Sequence, residues 1–203
     1  MISKSQLAIR LSKLEPFENP NVKLEQYSTD SEIAADVLWF AFMKGDIKDK
    51  IIADFGCGNG ILGIGCLLLG AKKVFFIDND KNAIEVLKKN IENSKKMIII
   101  NDDIRNFSQK VDVVVQNPPF GTKKIHADIE FLKKAFQASN VVYSFHKTST
   151  LDFVKKFVQQ NNFEITNIVN FEFPIKKTYD FQKKPKKLIA AGCIRAIGPK
   201  NFF

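Results

Sequence analysis

The tetrapeptide Asn117-Pro118-Pro119-Phe120 brings together the groups that a weakly nucleophilic amine needs. The lone pair of an exocyclic ring amine is delocalised into the ring, which leaves the nitrogen planar and a poor nucleophile. Hydrogen-bond acceptors facing both N–H groups favour a more pyramidal nitrogen and stabilise the charge that develops on methyl transfer. The side-chain oxygen of Asn117 and the carbonyl of Pro118 can serve as those acceptors. Pro118 and Pro119 restrict the backbone that holds them, and Phe120 offers a face on which a flipped-out base can stack. An Asn-Pro pair also starts ordinary turns. The catalytic reading gains from its place after an apolar strand, one strand-helix-strand stretch beyond a glycine cluster. Carbon methylation of a pyrimidine would require a thiol nucleophile. Cys57 lies inside that cluster, and Cys66 and Cys193 lie in apolar runs, so this chemistry is disfavoured.

The cluster is Asp54-Phe55-Gly56-Cys57-Gly58-Asn59-Gly60-Ile61. In open α/β sheets ligands bind outside the carboxyl ends of the strands, where the strand order reverses. Glycines there permit a tight turn and close approach of a ligand to the backbone. A dinucleotide fingerprint would need glycine where Ile61 stands, and Asp54 would repel a pyrophosphate. Asp54 suits instead a cation such as the ammonium or sulfonium of S-adenosylmethionine. Asp78 closes the next strand about 20 residues on, where an acid accepts from ribose hydroxyls. Asp103 and Ile104, after the third strand, can read an adenine amino group and pack on its ring. The alternative for all of these is a glycine turn with acids as helix caps.

Between residues 176 and 187 six lysines interleave with Tyr179 and Phe181. Lysines such as Lys183 and Lys184 neutralise phosphates, while the aromatics can stack on unpaired bases. Lys123 and Lys124 stand just past the Asn-Pro-Pro-Phe motif and can hold a strand near a flipped base. His146 and Lys147 end a strand on the same side. For His146 a structural hydrogen bond is as good a reading as a nucleic-acid contact, and a solvated loop is the alternative for the lysines. No Cys or carboxylate lies at metal-ligand spacing from His126 or His146, so no metal site is expected.

These residues require strands that end together. Lys50–Phe55, Val74–Ile77, Met97–Ile100, Val111–Val115, Val141–Phe145, Phe163–Phe173 and Leu188–Ala196 read as strands. Helices are expected at Ile61–Leu69, Lys81–Asn93 (capped by Asp80), Ala127–Ala138 and Leu151–Gln160. The alternation predicts an α/β fold with a mostly parallel sheet covered on both faces. Ahead of it, Gln6–Leu14 reads as a short amphipathic helix. Thr29-Asp30-Ser31-Glu32 has capping-box spacing, with Thr29 as cap of a helix reaching about Met43. Residues 1–45 are expected to be an extension packed on the sheet of one domain, 1–203.

The 203 residues suit a single domain, and 45% hydrophobic residues can supply its core. Lys and Arg number 31 against 22 acids, a net charge of +9, which favours phosphate-rich partners. Only Arg10, Arg105 and Arg195 are arginines, so lysine carries nearly all of that charge, as genome composition alone could also dictate. There is no run of about 18 apolar residues, and three scattered cysteines make no disulfide framework. A cytoplasmic protein that does not span a membrane is expected.

The wider pattern resembles a known family. Asp54–Gly60 and Asn117–Lys123 are similar to the class I (Rossmann-like) methyltransferases acting on amino groups, which carry a seven-stranded sheet. Leu24–Thr29, Trp39-Phe40-Ala41, Gly45-Asp46-Ile47, Tyr143–Lys147 and Tyr179–Lys184 resemble the methyltransferase-like protein 5 group over nearly the whole chain. Asn59, Gly63 and the lysine-rich late loop depart from that pattern. The lean, lysine-rich chain fits an archaeal member. The resemblance implies an S-adenosylmethionine-dependent N6-adenosine methyltransferase of small-subunit ribosomal RNA. It further implies that Gln26 and Thr29 fold over the cofactor, with Gly56, Cys57, Gly58, Gly60 and Ile61 along its methionine part. Asp78 would take the ribose, and Asp103 with Ile104 the adenine. Eukaryotic members work with a small zinc-binding activator, Trm112, on a sheet edge, and Val74–Ile77 with Met97–Ile100 offer an apolar edge for such a partner. Protein glutamine-amide methylation and DNA adenine-N6 methylation are the alternatives, because their nitrogens call on the same acceptors.

Overall fold

In a computed structural model describing residues 2–17, 29–92, 94–119, 127–174 and 188–199, the β-branched and aromatic runs form one sheet. Its strands are β1 (Ile51–Phe55), β2 (Lys73–Asp78), β3 (Met97–Asn101), β4 (Val113–Gln116), β5 (Val141–Lys147), β6 (Glu164–Pro174) and β7 (Leu188–Ile197). They lie in the order β3-β2-β1-β4-β5-β7-β6, and β7 is antiparallel to both of its neighbours. The remaining pairings are parallel. The chain order reverses between β1 and β4, which leaves a crevice beyond their carboxyl ends. Phe55 pairs with Gln116 in that register. The glycine loop and the Asn-Pro-Pro turn therefore leave the sheet side by side.

Among the described residues six α-helices cover the sheet: α1 (Lys4–Leu11), α2 (Ser31–Met43), α3 (Ile61–Leu68), α4 (Lys81–Asn90), α5 (Ala127–Ala138) and α6 (Leu151–Gln160). Side chains of α1 to α4 pack with one face of the sheet, where Leu7, Leu11, Leu38, Ile52 and Phe76 are almost fully enclosed. Those of α5 and α6 pack with the other, around Phe55, Leu132, Val142 and Val154. Each such side chain stabilises the fold by roughly 1.5–3 kcal/mol. α2 crosses α3 at Gly65, where a Cβ would overlap Leu38. Among the described residues no helix is long and apolar enough to cross a membrane.

Several boundaries differ from the sequence expectation. α1 starts earlier, because Ser3 and Gln6 form a reciprocal capping box. α4 stops at Asn90, whose side chain is drawn into contacts described below. The cap of α2 is Asp30, not Thr29: the Asp30 carboxylate accepts from the amides of Glu32 (2.9 Å) and Ile33 (3.4 Å). A carboxylate at this point also complements the helix dipole. The shift by one residue leaves the Thr29 hydroxyl available for another role.

Candidate active site

The loop after β1 turns on three glycines with left-handed backbone, Gly56 (φ 65°), Gly58 (φ 56°) and Gly60 (φ 88°). At Gly60 a side chain is doubly excluded, since L-residues avoid that conformation and a Cβ would overlap Leu87. The amides of Gly56 and Cys57 both donate to the Ile77 carbonyl of β2, at 2.8 and 3.0 Å. That of Gly58 donates to Asp78 Oδ2 at 2.9 Å. Asp78 Oδ1 accepts from the Asp80 amide. Asp78 thus closes the loop and stays half-buried, with burial pushing its carboxyl above the usual range.

Asp54 lies deeper than expected. It is 1% exposed, and its Oδ2 accepts from the Gly63 amide in the first turn of α3 at 2.9 Å. Burial pushes its carboxyl up to about 7; the Gly63 bond opposes this, and the Asp78 charge adds to it. Asp54 therefore braces the helix behind the loop, and any counter-charge role must act through that loop. Burial likewise pushes the Cys57, Cys66 and Cys193 thiols up, which keeps them as thiols and argues against a cysteine nucleophile.

At the third strand, Asp103 caps the short 3-10 turn Ile104–Asn106 and holds Arg105 through both carboxylate oxygens. Ile104 is buried with Phe55 and Phe107. An adenine would have to share Asp103 with Arg105.

Asn117 leaves β4 beside this loop. Its Nδ2 donates to Thr29 Oγ1 at 3.0 Å, across 88 residues of sequence. Its Oδ1 is enclosed and has no partner among the described residues. A buried, unmet acceptor is costly, so this oxygen is oriented and unsatisfied at the place where an amine acceptor was expected. Thr29, buried at the entry to α2, is what aims it.

The expected nucleic-acid role of His146 does not fit its surroundings. The ring is fully buried, with Nε2 2.8 Å from Ser144 Oγ and Nδ1 3.2 Å from Asp128 Oδ2. Both nitrogens are engaged inside the protein, which leaves neither for a nucleic acid. Lys147 ends β5 half-buried. Gln26, Phe120, Lys123, Lys124, Tyr179, Phe181, Lys183 and Lys184 lie outside the described residues.

Two features were not anticipated. Glu15 and Asn90 exchange hydrogen bonds (Glu15 amide to Asn90 Oδ1, 2.7 Å; Asn90 Nδ2 to the Glu15 carbonyl, 3.1 Å). Asn90 Nδ2 also donates to the Asn59 carbonyl. This ties the segment after α1 to the glycine loop and sets Phe17 against Gly58, where an added Cβ would sit 3.2 Å from the ring. Gln116, Ser144, His146 and Asp128 form a buried polar line at the ends of β4 and β5. The alternation of β5 puts Ser144 and His146 on one face, a signal present in the sequence. The Gln116 partner emerges only from strand register.

Comparison with known proteins agrees with this architecture. Residues 27–144 match the family model described as "Methyltransferase small domain". The chain is 40% identical over 200 residues to the uncharacterized protein MJ0284 of Methanocaldococcus jannaschii, covering 91% of this chain and 89% of that one. It is 34% identical over 194 residues to the rRNA N(6)-adenosine-methyltransferase METTL5 of Danio rerio, with 91% and 94% covered. The crystal structure of PH1948 from Pyrococcus horikoshii superposes with a TM-score of 0.90 at 41% identity over 98% of each chain. With its crevice at the strand reversal and its left-handed glycine loop, the chain belongs to the small-domain methyltransferases, S-adenosylmethionine-dependent class I enzymes, and within them to the METTL5 group.

Proposed function

We propose that the protein methylates the exocyclic N6 of adenine in RNA, small-subunit ribosomal RNA in particular. The observation that carries this reading is the Asn117 carboxamide, whose nitrogen is held by Thr29 while its enclosed oxygen has no partner among the described residues. The relatives named as rRNA N(6)-adenosine-methyltransferases support the reaction, and the net charge of +9 supports a polyanionic substrate over a protein amide.

The residues present fit S-adenosylmethionine. The glycine loop lets a ligand approach its backbone, and the half-buried Asp78 carboxylate suits ribose hydroxyls. Gly56, Cys57, Gly58, Gly60 and Ile61 would hold the methionine part, Asp103 with Ile104 the adenine, and Gln26 with Thr29 would cover it. When bound, the cofactor supplies an electrophilic methyl group on a sulfonium. Asn117 Oδ1 and the Pro118 carbonyl accept from the two N–H groups of the substrate amine, and both stabilise the positive charge that its nitrogen acquires. Pro119 stiffens the turn and Phe120 stacks on the base. The amine then loses a proton to water. Lys123, Lys124, Lys147, Tyr179, Phe181, Lys183 and Lys184 would hold the RNA strand. Val74–Ile77 of β2 lies inside the sheet between β3 and β1, so of the two expected edge segments only Met97–Ile100 is at an edge. Among the described residues β3 pairs with β2 alone, and this half-buried edge is the place proposed for a Trm112-like activator.

The test is methyl partitioning. The purified protein is incubated with tritiated S-adenosylmethionine, small-subunit ribosomal RNA, duplex DNA and total protein in competition. Label in RNA is expected; label confined to protein or to DNA contradicts the reading.

A further inference from the structure

The end of β4 and the start of α5 are joined by buried side chains. We propose that Gln116, Ser144, His146 and Asp128 form a positioning bracket that fixes the Asn117 and Pro118 acceptors. Gln116 immediately precedes Asn117, and Asp128 lies in the first turn of α5, just past the loop. Gln116 Nε2 donates to Ser144 Oγ at 3.0 Å; Ser144 Oγ lies 2.8 Å from His146 Nε2, and His146 Nδ1 lies 3.2 Å from Asp128 Oδ2. Gln116 and Ser144 are direct cross-strand partners, and His146 follows two residues on, on the same face. All three are 0% exposed and Asp128 is 9% exposed.

The chemistry of the line is directional. With a neutral imidazole protonated on Nδ1, each link has one donor and one acceptor: amide N–H to hydroxyl, hydroxyl O–H to Nε2, and Nδ1–H to carboxylate. Well-packed apolar side chains would stabilise such a place as well as a polar row does. A directed row of hydrogen bonds adds a single permitted arrangement. Gln116 Oε1 is enclosed and lacks a partner among the described residues, so the Ser144 bond orients its amide. Residues 116 and 128 are thereby held at both flanks of the segment that carries Asn117 and Pro118. These four act through other residues and are positioning residues, and the inference rests on the proposed acceptor role of Asn117 and Pro118.

Full-chain variants at Ser144 and Asp128 test it. Ser144→Ala deletes the middle link with the loss of one oxygen. Asp128→Ala removes its far end, while Asp128→Asn keeps an acceptor for Nδ1–H. Ser144→Ala is expected to lower the single-turnover rate on the order of tenfold or more, as misplaced reacting groups do, with cofactor affinity unchanged. The double variant Ser144→Ala/Asp128→Ala should be no slower than the worse single one, and Asp128→Asn should recover most of the rate. Independently of turnover, amide hydrogen exchange over residues 127–132 should quicken in Ser144→Ala without a general rise elsewhere. A wild-type rate with unchanged exchange in Ser144→Ala overturns the bracket, and so do additive losses or a rate that falls only in step with thermal stability. If the unaltered protein places no methyl on RNA, the proposed function fails. Exchange over 127–132 still decides the bracket, local quickening supporting it and no change overturning it.

Discussion

At the end of β1 the chain is held mainly through its own backbone amides, whereas at the end of β4 it is held through side chains that reach distant segments. The glycine loop is fixed by amides of Gly56, Cys57 and Gly58 donating to Ile77 and Asp78, with Asp54 clamping α3 from behind. The Asn117 carboxamide is held by Thr29, and the row from Gln116 to Asp128 is proposed to fix the same segment from its two flanks. The first arrangement makes a tightly bonded loop, the proposed cradle for a cofactor of fixed shape. The second is proposed to aim one oxygen, with an accuracy that depends on several hydroxyls and rings at once. Damage to the first region should therefore appear in folding and cofactor affinity, and damage to the second in the rate of transfer.

The sharpest way to separate them is Asn117→Ala. It should cut the transfer rate by about 10²–10³-fold, the usual cost of a lost transition-state hydrogen bond, with cofactor affinity near normal in equilibrium binding. A comparable loss of cofactor affinity would erase the distinction.

The cradle should respond to pH through Asp54. Its carboxyl is raised to about 7 in the folded protein, against about 3.9 in an unfolded chain. Between those values the folded state keeps a proton that the unfolded state has released, so stability falls as pH rises from about 4 to about 7 and levels off above. Asp54→Asn keeps an acceptor for Gly63 and should remove on the order of 2–4 kcal/mol of that decline. Denaturant midpoints at several pH values measure it, and parallel curves for the two proteins would remove Asp54 from this role.

Gly60→Ala should destabilise by roughly 2–3 kcal/mol, combining left-handed strain with overlap at Leu87. Thermal unfolding would show it, and an unshifted midpoint would mean that the loop is not rigid. The smallest effect is expected from Thr29→Val, which removes the acceptor for Asn117 Nδ2 at almost constant volume. A loss of about 1–2 kcal/mol in transition-state stabilisation, read from kcat/KM with unfolding unchanged, would set it among the residues that aim the amide. A drop in stability alone would make it a packing residue.

What the sequence makes legible follows the same division. The cradle is legible because glycine is the residue that tolerates positive φ. Acids at successive strand ends also meet the amides of the loop and helix that follow β1, Asp54 the Gly63 amide nine residues on and Asp78 the Gly58 amide twenty residues back. The pattern of strands and helices was also readable, and α5 and α6 occupy the expected residues. The side-chain arrangements at β4 are not local. Thr29 and Asp30 are both good caps, and only the Asn117 contact, 88 residues away, shows why the acid takes the helix and the hydroxyl the amide. His146 looks accessible at a strand terminus until the register with Gln116 and the start of α5 enclose it. Asn90 reads as an ordinary helix residue, and its hold on Glu15 and Asn59 depends on how α1 leads into the following segment.

Nucleoside mass spectrometry of the methylated RNA tests the central claim most directly. The proposed grip of two acceptors on an exocyclic NH2, with the N(6)-adenosine activity in the names of the relatives, predicts N6-methyladenosine as the product. A methyl on a ring carbon, a ring nitrogen or a ribose hydroxyl would contradict it, because none of those atoms carries the two N–H groups from which Asn117 and Pro118 are proposed to accept.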